Sequence, residues 1–262
     1  MKTIIQVWTH HCYNMPQTET ENYWGLGDIL RGTLQLYMLS KKLGFQFYVD
    51  TSLHPIGKYL VPIENPYSNI IQANRDKITM IPADTYLEEM IQGLPDDIYC
   101  FFTNAYCTET FDDDSKMFMK KLLTPIQTLE DEIRSYIPFE PYSILHFRLG
   151  DDELVGRGQT NLPADILHMI QANKDPNSVL ISDSLNLKIH SDVVKEVYIL
   201  NTVPKHLGKC ADIESIKGTL IDFFLLTRAE IIKTYSCYEW ISGFVYWAHK
   251  IYDIPFMPIH DE

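Results

Sequence analysis

Ser143-Ile144-Leu145-His146-Phe147-Arg148-Leu149-Gly150-Asp151-Asp152 is an apolar run carrying polar groups at alternate positions and closed by a glycine and two carboxylates. A period of two is strand geometry, and it places His146 and Arg148 on the same face. A strand that empties into a polar turn is the repeating unit of a parallel α/β sheet, whose ligands gather at the carboxyl ends of the strands.

Reading outward, Thr124-Pro125-Ile126-Gln127 opens a helix, with Thr124 as cap and Pro125 at the first helical position. Its stripe is Ile126, Leu129, Ile133, Tyr136 and Ile137, which is helical spacing. Pro138 ends this helix, and Pro141 follows before the strand. The gap Pro138–Pro141 is therefore the expected boundary between domains 1–140 and 141–262. Further strands are expected at Thr3–Thr9, Phe45–Asp50, Lys77–Ile81, Ile98–Thr103, Val179–Ser182, Val197–Leu200 and Ile231–Thr234. Helical segments alternate with them and no internal repeat is present, so the expected fold class is α/β, with two Rossmann-like domains facing a cleft.

Composition narrows the function. A net charge of −13, from 22 Lys and Arg against 35 Asp and Glu, argues against nonspecific nucleic-acid binding, which draws on phosphate neutralisation. A small phosphorylated ligand, held by a few local cations, stays open. The five cysteines (Cys12, Cys100, Cys107, Cys210 and Cys237) form no CxxC pair, so reduced, mostly buried thiols and a cytoplasmic location are expected. No run approaches the roughly 20 apolar residues of a membrane span. The opening, Met1 to Trp8, reads as a first strand rather than a signal peptide.

Four segments can carry chemistry. Trp24-Gly25-Leu26-Gly27-Asp28 precedes a long helix stopped by Gly44. Gly25 and Gly27 permit close approach or positive φ, and Asp28 can cap the helix, whose positive end would then face a phosphate. A plain strand-to-helix turn accounts for the same residues, and the third glycine of a nicotinamide fingerprint is missing. Asp28, Arg31, Gln35 and Lys42 fall on one strip of this helix, with the other faces mostly apolar. In the second segment, Arg148 offers a permanently charged planar fork suited to a diphosphate; the plainer account pairs it with Asp151 or Asp152 and leaves His146 in the core. The third, Ser182-Asp183-Ser184, can cap a helix or accept from a guanine or ribose. The fourth contains Asp222 in an otherwise apolar helix, costly to bury without partners, and Ser236 at the entrance of a last helix with stripe Ile241, Phe244, Val245, Ala248 and Ile251. Asp112-Asp113-Asp114 holds a D-x-D but reads as a solvated helix start. Adjacent His10-His11-Cys12 would point to opposite strand faces, so no metal site is expected.

Together and in this order, Gly25-Leu26-Gly27-Asp28, His146-Phe147-Arg148, Ser182-Asp183 and Asp222 through Trp240 resemble the motifs of the fucosyltransferase superfamily, across nearly the whole chain. The resemblance implies a GT-B-like fold, a GDP-fucose donor, a glycan or other hydroxyl acceptor on the N-terminal domain, and inversion at the anomeric carbon with no cofactor or obligate metal. It would set Arg148 on the β-phosphate, His146 beside the nucleotide, Asp183 and Asp222 on base or ribose, and Ser236 with Tyr238 on the diphosphate. A second Arg, often present after His-x-Arg, is replaced by Leu149; Arg157 or Lys188 would supply that contact. Asp28, then Asp151, are the candidates for general base. The loops His10–Tyr23 and Asp151–Leu162 would read the acceptor. A transferase using another nucleotide sugar, a non-catalytic nucleotide-sugar binder and a nicotinamide-dependent oxidoreductase stand as alternatives.

Overall fold

The structure, a computed structural model, describes residues 1–9, 25–73, 77–106, 110–150, 164–190, 197–200, 202 and 213–260. The chain forms two compact units, the first over Met1–Pro125 and the second from Ile126 onward. Each carries one parallel sheet with helices, the expected α/β class. His10–Tyr23, Asp151–Leu162, Trp24, Cys107 and Cys210 lie outside the described residues.

In the first unit, β1 (Thr3–Thr9), β2 (Gln46–Leu53), β3 (Thr79–Ile81) and β4 (Ile98–Thr103) stand in the order β2-β1-β4-β3, all parallel. Every residue of β1 is buried, as a central parallel strand covered on both faces requires. The helix α1 (Leu26–Leu43) runs from Gly25, which has ordinary extended backbone (φ −67°), to Gly44 in the left-handed region (φ 73°). Leu36 and Leu39 of α1 join Ile4, Phe101, Leu87 and Ile91 in one apolar cluster. Within α1, Gly32 lies directly on the end of β4: a Cβ there would stand 1.8 Å from the Thr103 carbonyl oxygen. Gln35 is buried, so the polar strip expected along α1 is interrupted. The short helices α2 (Ser68–Ala73) and α3 (Leu87–Gly93) connect the strands. The helix α4 (Asp113–Leu122) is capped by Asp112, whose carboxylate accepts from Ser115 N at 2.8 Å.

The second unit begins with α5 (Gln127–Tyr136), two residues later than expected. Pro125 is not its first residue; it bridges antiparallel to Leu60, and Ile126 stands at the cap position. The units therefore part upstream of Pro138–Pro141 instead of at residue 140. The physical reason is that α5 buries Leu129 and Ile133 and pairs Glu130 with Arg228 and Glu132 with Lys217, all within the second unit. There follow β5 (Ser143–Arg148), α6 (Ala164–Asn173), β6 (Ser178–Ser182), α7 (Leu185–His190), β7 (Val197–Ile199), α8 (Ile213–Leu226), β8 (Ile231–Ser236), α9 (Gly243–Tyr252) and β9 (Phe256–Pro258). Sheet order is β7-β6-β5-β8-β9, again all parallel. The chain moves outward from β5 through β6 to β7, then returns to start again at β8. The order of the sheet thus reverses between β5 and β8, the position where open α/β sheets hold ligands. In the first unit the chain passes from β1 to β2, crosses to the edge strand β3 and returns inward to β4, which lies beside β1. The helix after β8 starts at Gly243 with Ser242 as its cap, so Ser236 ends a strand instead of opening a helix.

Candidate functional site

Arg148 is the last residue of β5 and lies in register with Ser236, the last residue of β8, at the reversal point of the second sheet. Its guanidinium Nη1 donates to Asp183 Oδ2 at 2.7 Å, and its side chain remains 18% exposed. Asp183, just beyond β6, also accepts from Leu149 N at 2.7 Å and Gly150 N at 3.0 Å. Burial pushes the Asp183 carboxyl upward, and the Arg148 charge with the two backbone N–H groups pulls it back. The ring of Tyr238 lies 5.9 Å from Arg148 Cζ and stacks on Trp240 at 4.9 Å, nearly parallel. Cys237 N donates to the Arg148 carbonyl at 2.9 Å, stitching the exit of β8 to that of β5. Gly150, at φ 127°, turns the chain in a region that side chains rarely enter.

Behind Arg148, His146 is buried and shares a hydrogen bond with Thr234 Oγ1 at 3.0 Å. Burial, then the Arg148 charge, lowers its pKa from 6.5 to about 3, so the imidazole is neutral. The Ser182 hydroxyl donates to the Phe147 carbonyl at 2.8 Å and accepts from Ser184 N at 3.0 Å. Deeper still, Lys188 Nζ donates to Thr202 O at 2.7 Å and Oγ1 at 2.8 Å, while Thr202 Oγ1 donates to Asp222 Oδ1 at 2.6 Å. Both Lys188 and Asp222 are buried.

In the first unit, Asp28 lies inside the first turn of α1 and accepts from Arg31 Nη2 at 3.0 Å. Arg31 Nε donates to the Asn104 carbonyl at 2.8 Å, just past β4. Asp112 and Asp114 both take Lys41 Nζ, at 2.9 and 2.8 Å, which commits the D-x-D to a helix start and an ion pair. Among the described residues no group of three or more His, Cys, Asp or Glu is placed to hold a metal. Nor is any helix among them long and apolar enough to cross a membrane.

No family model matches the chain, and no curated protein matches it. Solved structures do. The fucosyltransferase NodZ from Bradyrhizobium aligns over 95% of this chain and 92% of its own, with a TM-score of 0.56 at 15% identity. NodZ α-1,6-fucosyltransferase soaked with GDP-fucose aligns over the same shares with a TM-score of 0.54 at 16% identity. POFUT1 in complex with GDP covers 98% of both chains, with a TM-score of 0.50 at 10% identity. This chain has a fucosyltransferase-like fold.

On that fucosyltransferase-like fold, the four quoted motifs are not equally placed for a ligand. Arg148, Ser236 and Tyr238 share the carboxyl ends of β5 and β8. Ser182 and His146 sit one layer below, their polar atoms engaged within the protein. Asp183, expected on a base or ribose, spends its carboxylate on Arg148 and the β5 turn. Asp222, expected in the same role, is closed into the cluster with Thr202 and Lys188, because a carboxylate inside an apolar helix needs internal partners. Lys188, one of the two residues expected to supply a second phosphate contact, is a member of that cluster. Gly25 and Gly27 show no positive φ, and Asp28 pairs with Arg31 instead of capping α1. The thiol of Cys237, expected to be buried, is exposed. Sequence reasoning missed two residue pairs that join different elements, Arg148 with Asp183 and Lys188 with Asp222. For the first the signal available was a charge at the end of each neighbouring strand, and for the second a charge set between apolar residues in each of two helices.

Proposed function

We propose that this chain is an inverting glycosyltransferase that moves fucose from GDP-fucose to a hydroxyl of a glycan or other acceptor. The observation that carries this reading is the Arg148 fork, oriented by Asp183 at the β5–β8 reversal of a fucosyltransferase-like fold. The GDP-fucose soaked into NodZ and the GDP bound to POFUT1 support a guanosine diphosphate sugar as donor.

Transfer breaks the bond from the anomeric carbon to the β-phosphate oxygen and leaves both electrons on GDP. Arg148 neutralises that charge as it builds, with Tyr238 and Ser236 beside it; one such preorganised donor is worth about 3 kcal/mol of barrier. The acceptor oxygen forms the new bond from the opposite face, and Asp28 takes its proton. The first unit binds the acceptor and the second the donor. His146, neutral and buried, fixes β5 against β8 without adding a second positive charge. Incubation with GDP-fucose and mixed oligosaccharides should release GDP and fucosylate an acceptor with inverted configuration. Retained configuration, or no turnover of GDP-fucose beside ready turnover of another nucleotide sugar, would contradict it.

A further inference from the structure

The carboxyl end of β4, where it meets α1, carries a constellation of a different kind. Arg31, one turn into α1, is held by Asn104 O at 2.8 Å and Asp28 Oδ1 at 3.0 Å, and its guanidinium lies 4.3 Å from the ring centre of Tyr106. Those two hydrogen bonds use two of the five N–H groups of an arginine; the others meet no acceptor among the described residues. Tyr106 has its ring braced on one face by the guanidinium, yet it is 62% exposed. Asn104 Oδ1, beside them, is buried without a hydrogen-bond partner. An exposed aromatic ring fixed in place, next to a carboxylate and unspent donors, is unusual for a surface with no ligand to meet.

We propose that Asp28, Arg31 and Tyr106 form a pyranose subsite, which holds the sugar residue of the acceptor. A pyranose has an apolar face of C–H groups and a rim of hydroxyls. The outer face of Tyr106 matches the first; the Asp28 carboxylate accepts from the rim, and the remaining Arg31 N–H groups donate to it. The occupant is uncharged, because Asp28 already neutralises Arg31 and the pair leaves no net local charge for an ion to meet. This inference rests on the transferase reading and names its acceptor class as a neutral glycan.

The test titrates the full chain with cellobiose, lactose and N,N′-diacetylchitobiose by ligand-observed NMR, with GDP thermal shifts measured on the same samples. At least one disaccharide is expected to bind saturably, to weaken about fivefold or more in Tyr106→Ala, and to be retained in Tyr106→Phe. The exposed position of Tyr106 keeps the fold intact, and an unchanged melting temperature verifies this. Absence of saturable binding to all three, or equal binding by Tyr106→Ala, overturns the subsite. Disaccharide binding that depends on Tyr106, in a protein that GDP fails to stabilise, supports the subsite and overturns the transferase reading instead.

Discussion

Arg148 and Asp183 stand 35 positions apart in the chain and 2.7 Å apart in space, each at the carboxyl end of a neighbouring strand. Asp183 is the more deeply buried partner, and its three hydrogen bonds tie the guanidinium and the β5 turn into one rigid body. The pair fixes the direction of the fork, so Asp183 acts as a positioning residue.

Asp183→Ala leaves the Arg148 cation partly buried without its counter-charge. Breaking such a pair costs about 3–5 kcal/mol. Urea unfolding should show a loss of that size, and Asp183→Asn, which keeps the shape, should stay folded with weaker GDP binding. Wild-type stability in the alanine variant would mean the pair is not structural.

Two glycines of the first unit separate space from strain. At Gly32 an added methyl meets backbone at 1.8 Å, so α1 must lift from β4; Gly32→Ala should cost about 3 kcal/mol or more. At Gly44 (φ 73°) nothing lies within 4 Å, and only the left-handed backbone resists a side chain. Gly44→Ala should therefore cost about 1 kcal/mol. Thermal melts of the two variants check the order; equal effects would contradict the packing of α1 on β4.

His146 makes stability depend on pH. Its folded value of about 3 lies below the ordinary 6.5, so between those limits the unfolded chain binds the extra proton. Stability then falls as pH drops through that window, by about 1.4 kcal/mol per pH unit. Urea melts at several pH values between 7 and 4.5 should show a shallower slope in His146→Gln than in the wild type. Parallel slopes would place the titration on another group.

Much of this architecture is legible in residue order. Thr3–Thr9 and Ile98–Thr103 are strands over the very ranges their apolar runs indicate, because parallel strands buried on both faces need no other code. Phe256–Pro258 is not legible: Pro255 and Pro258 argue against a strand, yet β9 pairs with β8 at the sheet edge, where proline is tolerated. The same limit applies to the site. Alternation gives His146 and Arg148 a common face, but whether Arg148 meets Asp151, Asp152 or Asp183 depends on which strand lies beside β5. Asp222 looks like a ligand-binding acid for the same reason; its helix reads apolar, and the buried Lys188 that answers it comes from another element. Ser236 misleads because Ser242, six residues on, caps the helix that Ser236 was expected to open.

Isothermal titration of the protein with GDP, beside the same titration of Arg148→Lys, tests the central assignment most directly. The lysine keeps a cation against Asp183 and removes the planar fork. Saturable binding of GDP by the wild type, weakened about tenfold or more in Arg148→Lys at unchanged melting temperature, is the expected result. A wild type that takes up no GDP, or a lysine variant that binds it equally well, would contradict a diphosphate held at the end of β5.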